Sequence, residues 1–488
     1  MYLTFDIGTT ALKTALISGA GEMIAAHTIE YTPSTPRPDW VEMSPELYWS
    51  ALVAGTRQVF QQAGVSTCEL KAIGFSSQAQ TFIPVDRHGR PLHDAIVWVD
   101  NRAQDIADEW SREWLTREEF QRLSGYPWIP AALTVFKVAW LARHAPAAHH
   151  AWKFLCLPDY LIYRLTGETA TDYVTARMSG FLDLQTGKWE PRLLAAAGIT
   201  AEQLPALLAP GAIAGGVCEH AAQELGIAAG IPVCVGANDQ LVGAIGAGNV
   251  TEGIITETTG TALAVIATTD KLLHDNRICV GRHAIGNKFY AMTFTITSGI
   301  VLKWFRDLCA PGEGYETFLK GVEKIPPGCD GLTVLPHFAG TGTPTFNPQV
   351  RGALVGLTLQ HTRAHIARAI MESCACMLKE CLEPLRECGV RIEQIRSLGG
   401  AARSNHWLQM KADLLGIPVE RPACPDAASL GAAMLAATGT GAFSNLMEAA
   451  NCWYRAAERF EPQPSLFAAY CEVFTRYSAL FHRLWGTQ

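Results

Sequence analysis

One pattern occurs twice in this chain. Residues 3–17 read LTFDIGTTALKTALI, and residues 254–266 read IITETTGTALAVI. Each is an apolar run, a Gly/Thr turn and a second apolar run, with T-A-L after the turn. Such runs around a tight turn predict strand, turn, strand. A repeat near the midpoint predicts two lobes built on one scheme. Further apolar runs follow each copy: KAIGFSSQ, TFIPVD and AIVWVD in the first half, FYAMTFTI and GLTVLPHF in the second. Long helical stretches alternate with them, among them 363–388, 404–415 and one opened by Met43-Ser44-Pro45-Glu46, where Ser44 is placed to cap and Pro45 suits the first helical position. The expected fold is α/β, two lobes divided as 1–246 and 247–488, with a central cleft between them.

Composition removes several function classes. The 488 residues are 49% hydrophobic and 17% charged, with a net charge of −7. Without a Lys/Arg block, nucleic acid and anionic membrane are not expected as main partners. No apolar run reaches the length of a membrane span, and the opening residues lack a basic leader, so a cytoplasmic protein is expected. The 14 cysteines include no C-x-x-C pair, which suits a reducing compartment. Cys374, Cys381 and Cys388 recur every seven residues and read as small apolar residues on one buried helix face rather than as a metal site.

Three turns carry phosphate-binding chemistry. In Asp6-Ile7-Gly8-Thr9-Thr10, Gly8 lets the backbone approach a ligand, and the threonines add hydroxyl and amide donors. Lys13 can add positive charge, and Asp6 can hold Mg²⁺ through water. Thr258-Thr259-Gly260-Thr261 repeats the device in the second lobe. Leu398-Gly399-Gly400-Ala401-Ala402-Arg403-Ser404 offers a shelf of small residues before a helix, suited to adenosine. The P-loop pattern G-x-x-x-x-G-K-[ST] is absent.

Residues 234–249, CVGANDQLVGAIGAGN, place one carboxylate, Asp239, among small and apolar residues. A charge so placed must be solvated, paired or used. A cap on the following helix is the plain alternative to catalysis.

With these turns, the ordered motifs P-D-W-V-E (38–42), S-S-Q (76–78), W-V-D-N-R (98–102), N-D-Q (238–240), T-G-T (259–261), S-G-I-V-L-K-W (298–304), G-G-A-A-R-S (399–404) and S-L-G-A-A (429–433) resemble those of the FGGY family of carbohydrate kinases, within the actin/Hsp70-like ATPase superfamily. The resemblance runs nearly the full length. It implies two ribonuclease-H-like (actin-like ATPase) lobes closing over their substrates, and transfer of the γ-phosphoryl group of Mg·ATP to a sugar or polyol hydroxyl. It makes Asp239 the general base and puts Asp6 and Asp239 near Mg²⁺, through water. Asp6 matches the aspartate near the metal and phosphates, and Thr9, Thr10, Gly260 and Thr261 match the phosphate hairpins. Gly299, Lys303, Gly400, Ala401 and Ser404 match positions around the nucleotide. A homodimer is common in such a family.

The acceptor is less constrained. Gln78, Gln80, Trp98, Asp100, Asp239 and Gln240 are the candidate contacts, since carboxamides and carboxylates suit hydroxyl recognition. Similar xylulokinases carry Met-His where this chain has Ala79-Gln80, and glycerol kinases carry Arg-Glu. A ketopentose such as xylulose is the first expectation, with tetritol, glycerol, another ketose or a sugar acid as alternatives. A non-kinase actin- or Hsp70-like ATPase and a sugar sensor remain as readings from other classes.

Overall fold

A computed structural model describes residues 1–486. The repeated pattern forms the centre of each of two seven-stranded sheets. In the first, Tyr2–Ile7 pairs antiparallel with Ala11–Ile17 and parallel with Ala72–Ser77. In the second, Gly253–Thr259 pairs antiparallel with Leu263–Thr269 and parallel with Ile392–Leu398. A third antiparallel strand extends each hairpin, Met23–Glu30 in one sheet and Phe289–Thr295 in the other. The central strands are nearly continuous runs of buried residues because helices cover both faces.

Two helices tie the lobes together. Asp239–Gly246 follows the first-lobe strand Ala237–Asn238, while Ala427–Gly439 lies far into the second half of the sequence. The later helix nevertheless packs on the first-lobe strands Tyr2–Ile7 and Ala72–Ser77 and against Asp239–Gly246. The two helices approach backbone to backbone. A Cβ on Gly246 would land on the Ala427 carbonyl, and one on Gly431 on the Val242 carbonyl. Only glycine fits at such a contact.

The helix Pro45–Ala63 begins with Pro45 as expected, although the Ser44 hydroxyl makes no cap bond. Cys374 and Cys381 are buried in the helix Arg363–Glu387, whereas Cys388 lies just beyond its end, half-buried. Among the described residues no helix is long and apolar enough to cross a membrane.

Candidate active site

In open α/β sheets ligands bind beyond the carboxyl ends of the parallel strands, and in each lobe those ends lead into the turns singled out from the sequence. In the first lobe the strand register sets Lys13, Asp6, Ser76 and Ala237 in one row across the sheet. Gly8, Gln78 and Asp239 leave the ends of three neighbouring strands. Asp6 accepts a hydrogen bond from Ser76 Oγ at 2.7 Å.

Asp239 is the first residue of its helix. Its Oδ1 accepts from Asn238 Nδ2 (2.7 Å) and from the Gln240 N–H (2.8 Å). Asn238 supplies the cap, its side chain accepting from the same N–H at 3.2 Å. Capping therefore does not require Asp239, and the Gln240 side chain adds to the hydrogen bonding of the carboxylate.

Burial pushes the Asp239 carboxyl up to about 6, against the pull of these hydrogen bonds. Asp6 is pushed up to about 7, first by burial and next by the nearby Asp426 carboxylate, with Asp239 adding to the effect. Crowded carboxylates that resist ionisation create a demand for a cation.

The Lys13 ammonium forms an ion pair with Asp426 at 2.9 Å, a partner the sequence did not point to. Asp426 caps the helix Ala427–Gly439, accepting from Ser429 N (3.3 Å) and Ser429 Oγ (2.9 Å). Nothing local in the sequence pointed to Asp426, since its partner lies more than 400 residues away.

The acceptor candidates divide. Trp98 sits on a turn after the two-residue strand Ala95–Ile96, is 39% exposed, and donates its indole N–H to Thr9 Oγ1 at 2.7 Å. Gln80 is half-buried with φ of 68° and donates through Nε2 to the Tyr126 hydroxyl at 2.9 Å. Gln78 is almost wholly buried. It donates to the Gly8 carbonyl at 3.1 Å and accepts from Thr81 Oγ1 at 3.2 Å, so it braces the phosphate turn. Gln240 is half-buried beside Asp239.

Asp100 is corrected. It is fully buried, and both oxygens are occupied by Arg102 (2.7–3.0 Å) and the Val41 N–H (2.6 Å). It shapes the turn that carries Trp98 and offers nothing to a ligand. An aromatic cluster absent from the sequence reading joins the lobes here. The Trp128 ring lies 5.8 Å from Tyr126, 5.6 Å from Phe294 and 4.9 Å from Phe346.

In the second lobe a cavity of about 650 Å³ gathers Gly260, Thr261, Gly299, Lys303, Gly400, Ala401 and Ser404, all expected from the sequence. Arg403 of the same shelf also lines it, and Tyr315, Glu316 and Trp407 join the wall without having been anticipated. Lys303 is half-exposed and paired with Asp307 at 2.6 Å. Gly399, at φ of 80°, lets the shelf lie against the hairpin: a Cβ there would stand 2.7 Å from the Thr259 carbonyl. Beneath the hairpin, Glu257 and Lys411 form a fully buried ion pair at 2.5 Å. Thr259 Oγ1 donates to Glu257 at 2.6 Å and accepts from Lys411 at 3.1 Å. Ser397 donates to the same carboxylate.

Comparison with known proteins identifies the family of the chain. The profile described as "FGGY family of carbohydrate kinases, N-terminal domain" matches residues 1–246, and its C-terminal counterpart matches residues 256–440. The chain is 29% identical over 483 residues to the xylulose kinase of Bacillus subtilis, covering 98% of this chain and 95% of that protein. It is 31% identical over 452 residues to the gluconokinase of Bacillus licheniformis, covering 90% and 87%. The crystal structure of a ligand-bound xylulose kinase from Lactobacillus acidophilus superposes with a TM-score of 0.91 at 25% identity, covering 99% of this chain and 98% of that one.

Proposed function

The chain belongs to the FGGY family of carbohydrate kinases, and from that premise we propose that it phosphorylates a neutral ketopentose such as xylulose, with Asp239 as general base. Carbohydrate kinases of this family transfer phosphoryl groups from ATP to sugars, so the finer questions are the acceptor and the residues that handle it. The observation that carries the assignment of Asp239 is its carboxylate at the carboxyl edge of the first-lobe sheet. Its Oδ1 is tied down by the Asn238 amide and the Gln240 N–H. A base held in this way presents one oxygen in a fixed direction to a sugar hydroxyl. Removing that proton as the oxygen attacks is worth about 10²–10⁴ in rate.

The rest of the chemistry is alignment and charge dispersal. Turns 8–10 and 259–261 supply backbone and hydroxyl donors from opposite lobes. The small-residue cavity in the second lobe has room for a nucleoside against backbone. Asp6 and Asp239 fit a hydrated Mg²⁺: they are hard oxygen donors whose ionised forms are suppressed by burial and, for Asp6, also by the Asp426 and Asp239 carboxylates. When bound, Mg²⁺ offsets charge on the phosphoryl oxygens.

A neutral acceptor is favoured by the cations of this region. Arg102 is committed to Asp100 and Glu42, Lys137 to two carbonyls, and Arg177 to the Ser124 and Val280 carbonyls and Tyr290. A sugar carboxylate in this region would find none of these cations free to pair with it. A coupled ADP-release screen over pentuloses, tetritols, glycerol, hexuloses and sugar acids tests this. D-xylulose or another ketopentose is expected to give the highest kcat/KM. Preference for D-gluconate would overturn the acceptor assignment.

The pH dependence follows from the carboxyl of the base. Proton abstraction requires its ionised form, which is lost as pH falls through about 6. In the free enzyme, kcat/KM for the acceptor is expected to be level above neutrality and to fall about tenfold per pH unit well below 6. A profile level down to pH 4.5 would contradict the role of Asp239.

A further inference from the structure

Lys137 is fully buried, yet its ammonium donates to main-chain carbonyls, Val97 at 2.8 Å and Trp98 at 3.4 Å, rather than to a carboxylate. Burial lowers its pKa to about 7, against the pull of Asp100. Retaining a cation at such a place is costly unless the groups it holds matter. Thr134 stands three residues earlier, on the same face of the helix Thr134–His144. Its hydroxyl donates to the Gln80 carbonyl at 3.0 Å. One helix face therefore grips two separate segments, each carrying a candidate acceptor contact. Gln80 needs such a hold, because its φ of 68° is costly for a residue with a side chain. Trp98 is held on a second side by Thr81 Oγ1, which accepts from its N–H at 3.0 Å, and its indole then reaches Thr9 in the phosphate turn.

We propose that the helix Thr134–His144 is the platform that aims the acceptor wall, with Lys137 and Thr134 as positioning residues acting through the carbonyls of Trp98 and Gln80. Neither residue touches the sugar. Lys137 fixes the turn that carries Trp98, and Trp98 links that turn to the phosphate turn. Thr134 fixes the backbone that directs the Gln80 amide. The proposal rests on the reading of Trp98 and Gln80 as acceptor contacts.

The test is a double-mutant cycle between Lys137→Met and Trp98→Phe, read at saturating MgATP. The acceptor is whichever of D-xylulose, glycerol and D-gluconate turns over fastest. Lys137→Met keeps the apolar stem and removes the donors. It is expected to lower kcat/KM for the acceptor by about 10- to 100-fold, mainly through KM, with KM for MgATP little changed. In the Trp98→Phe background the same change is expected to cost only a few-fold, since the route is already broken. Lys137→Gln, which restores a donor, is expected to recover part of the loss. If Lys137→Met does not fold, Thr134→Val and Gln80→Ala form the equivalent cycle with shape nearly preserved. Additive losses, or a lowered Tm with unchanged kcat/KM, would overturn the platform while leaving Trp98 in place. An undiminished kcat/KM in Trp98→Phe alone would remove Trp98 from the acceptor wall and the platform with it.

Discussion

Replacing Asp239 by Ala is expected to lower acceptor-dependent ADP release by about 10²–10⁴-fold while MgATP still binds. The nucleotide cavity is built in the other lobe, from the Thr259–Thr261 hairpin and the Gly400–Ser404 shelf, and Asp239 is not among its lining residues. Loss of the base should therefore separate kcat from nucleotide affinity. Asp239→Asn sharpens the point. The amide keeps the shape and its oxygen can still accept from Asn238 and Gln240, but it cannot take a proton.

The same substitution has a predictable sign for stability. The folded carboxyl stands at about 6, above its ordinary 3.8. Its favourable contribution is present below 3.8 and is lost as pH rises through 6, because the folded state then holds a buried charge. At neutral pH Asp239→Asn is expected to raise Tm while nearly abolishing turnover. Stability gained together with activity lost is the signature of a group kept for chemistry. Near-normal turnover with Asn, or an Asn variant less stable than the parent, would remove that interpretation. The comparison needs only steady-state ADP release, a nucleotide titration and thermal melts on the same preparations.

The second large effect is expected beneath the other hairpin. Lys411→Met leaves the Glu257 carboxylate buried without its cation; both side chains are wholly inaccessible. Breaking such a pair costs about 3–5 kcal/mol, a large share of the roughly 5–15 kcal/mol that holds an ordinary domain folded. Urea unfolding is expected to show that loss in the midpoint. Adding Glu257→Gln is expected to return most of it, because no uncompensated charge then remains. The amide introduced by that change can still meet the Thr259 and Ser397 hydroxyls. What the double variant does not regain is the fixed position of Thr259, so KM for MgATP is expected to stay raised. A single Lys411→Met change costing under about 1 kcal/mol would show that the pair carries little of the load.

Much of this architecture was legible in the sequence, for physical reasons that also mark where legibility ends. The twin strand–turn–strand openings were readable because hairpins are local: apolar runs, a Gly/Thr turn and their spacing determine them. Asp239 stood out as a charge in a run of small residues, and the second-lobe cavity gathers the expected Gly260, Thr261, Gly299, Gly400, Ala401 and Ser404. The misreadings concern what a polar side chain bonds to. Asp100 looked like a ligand contact, but Arg102, two residues on, and the distant Val41 N–H occupy its oxygens. Lys13 is met by Asp426 from the far end of the chain, a pairing no local pattern shows. Lys137 lies within an apolar helical stretch, where nothing in the pattern says that its ammonium points at two carbonyls. Trp128, Phe294 and Phe346 come from separate segments and meet only through tertiary packing.

The central claim is that this cleft moves a phosphoryl group from ATP to a neutral sugar hydroxyl. Phosphorus NMR of a reaction containing the wild-type protein, MgATP and D-xylulose tests it most directly. The account predicts a new phosphomonoester resonance growing in equal amount with ADP, and no such resonance in a parallel reaction with Asp239→Asn. ADP formed together with inorganic phosphate alone, whether or not the sugar is present, would contradict it.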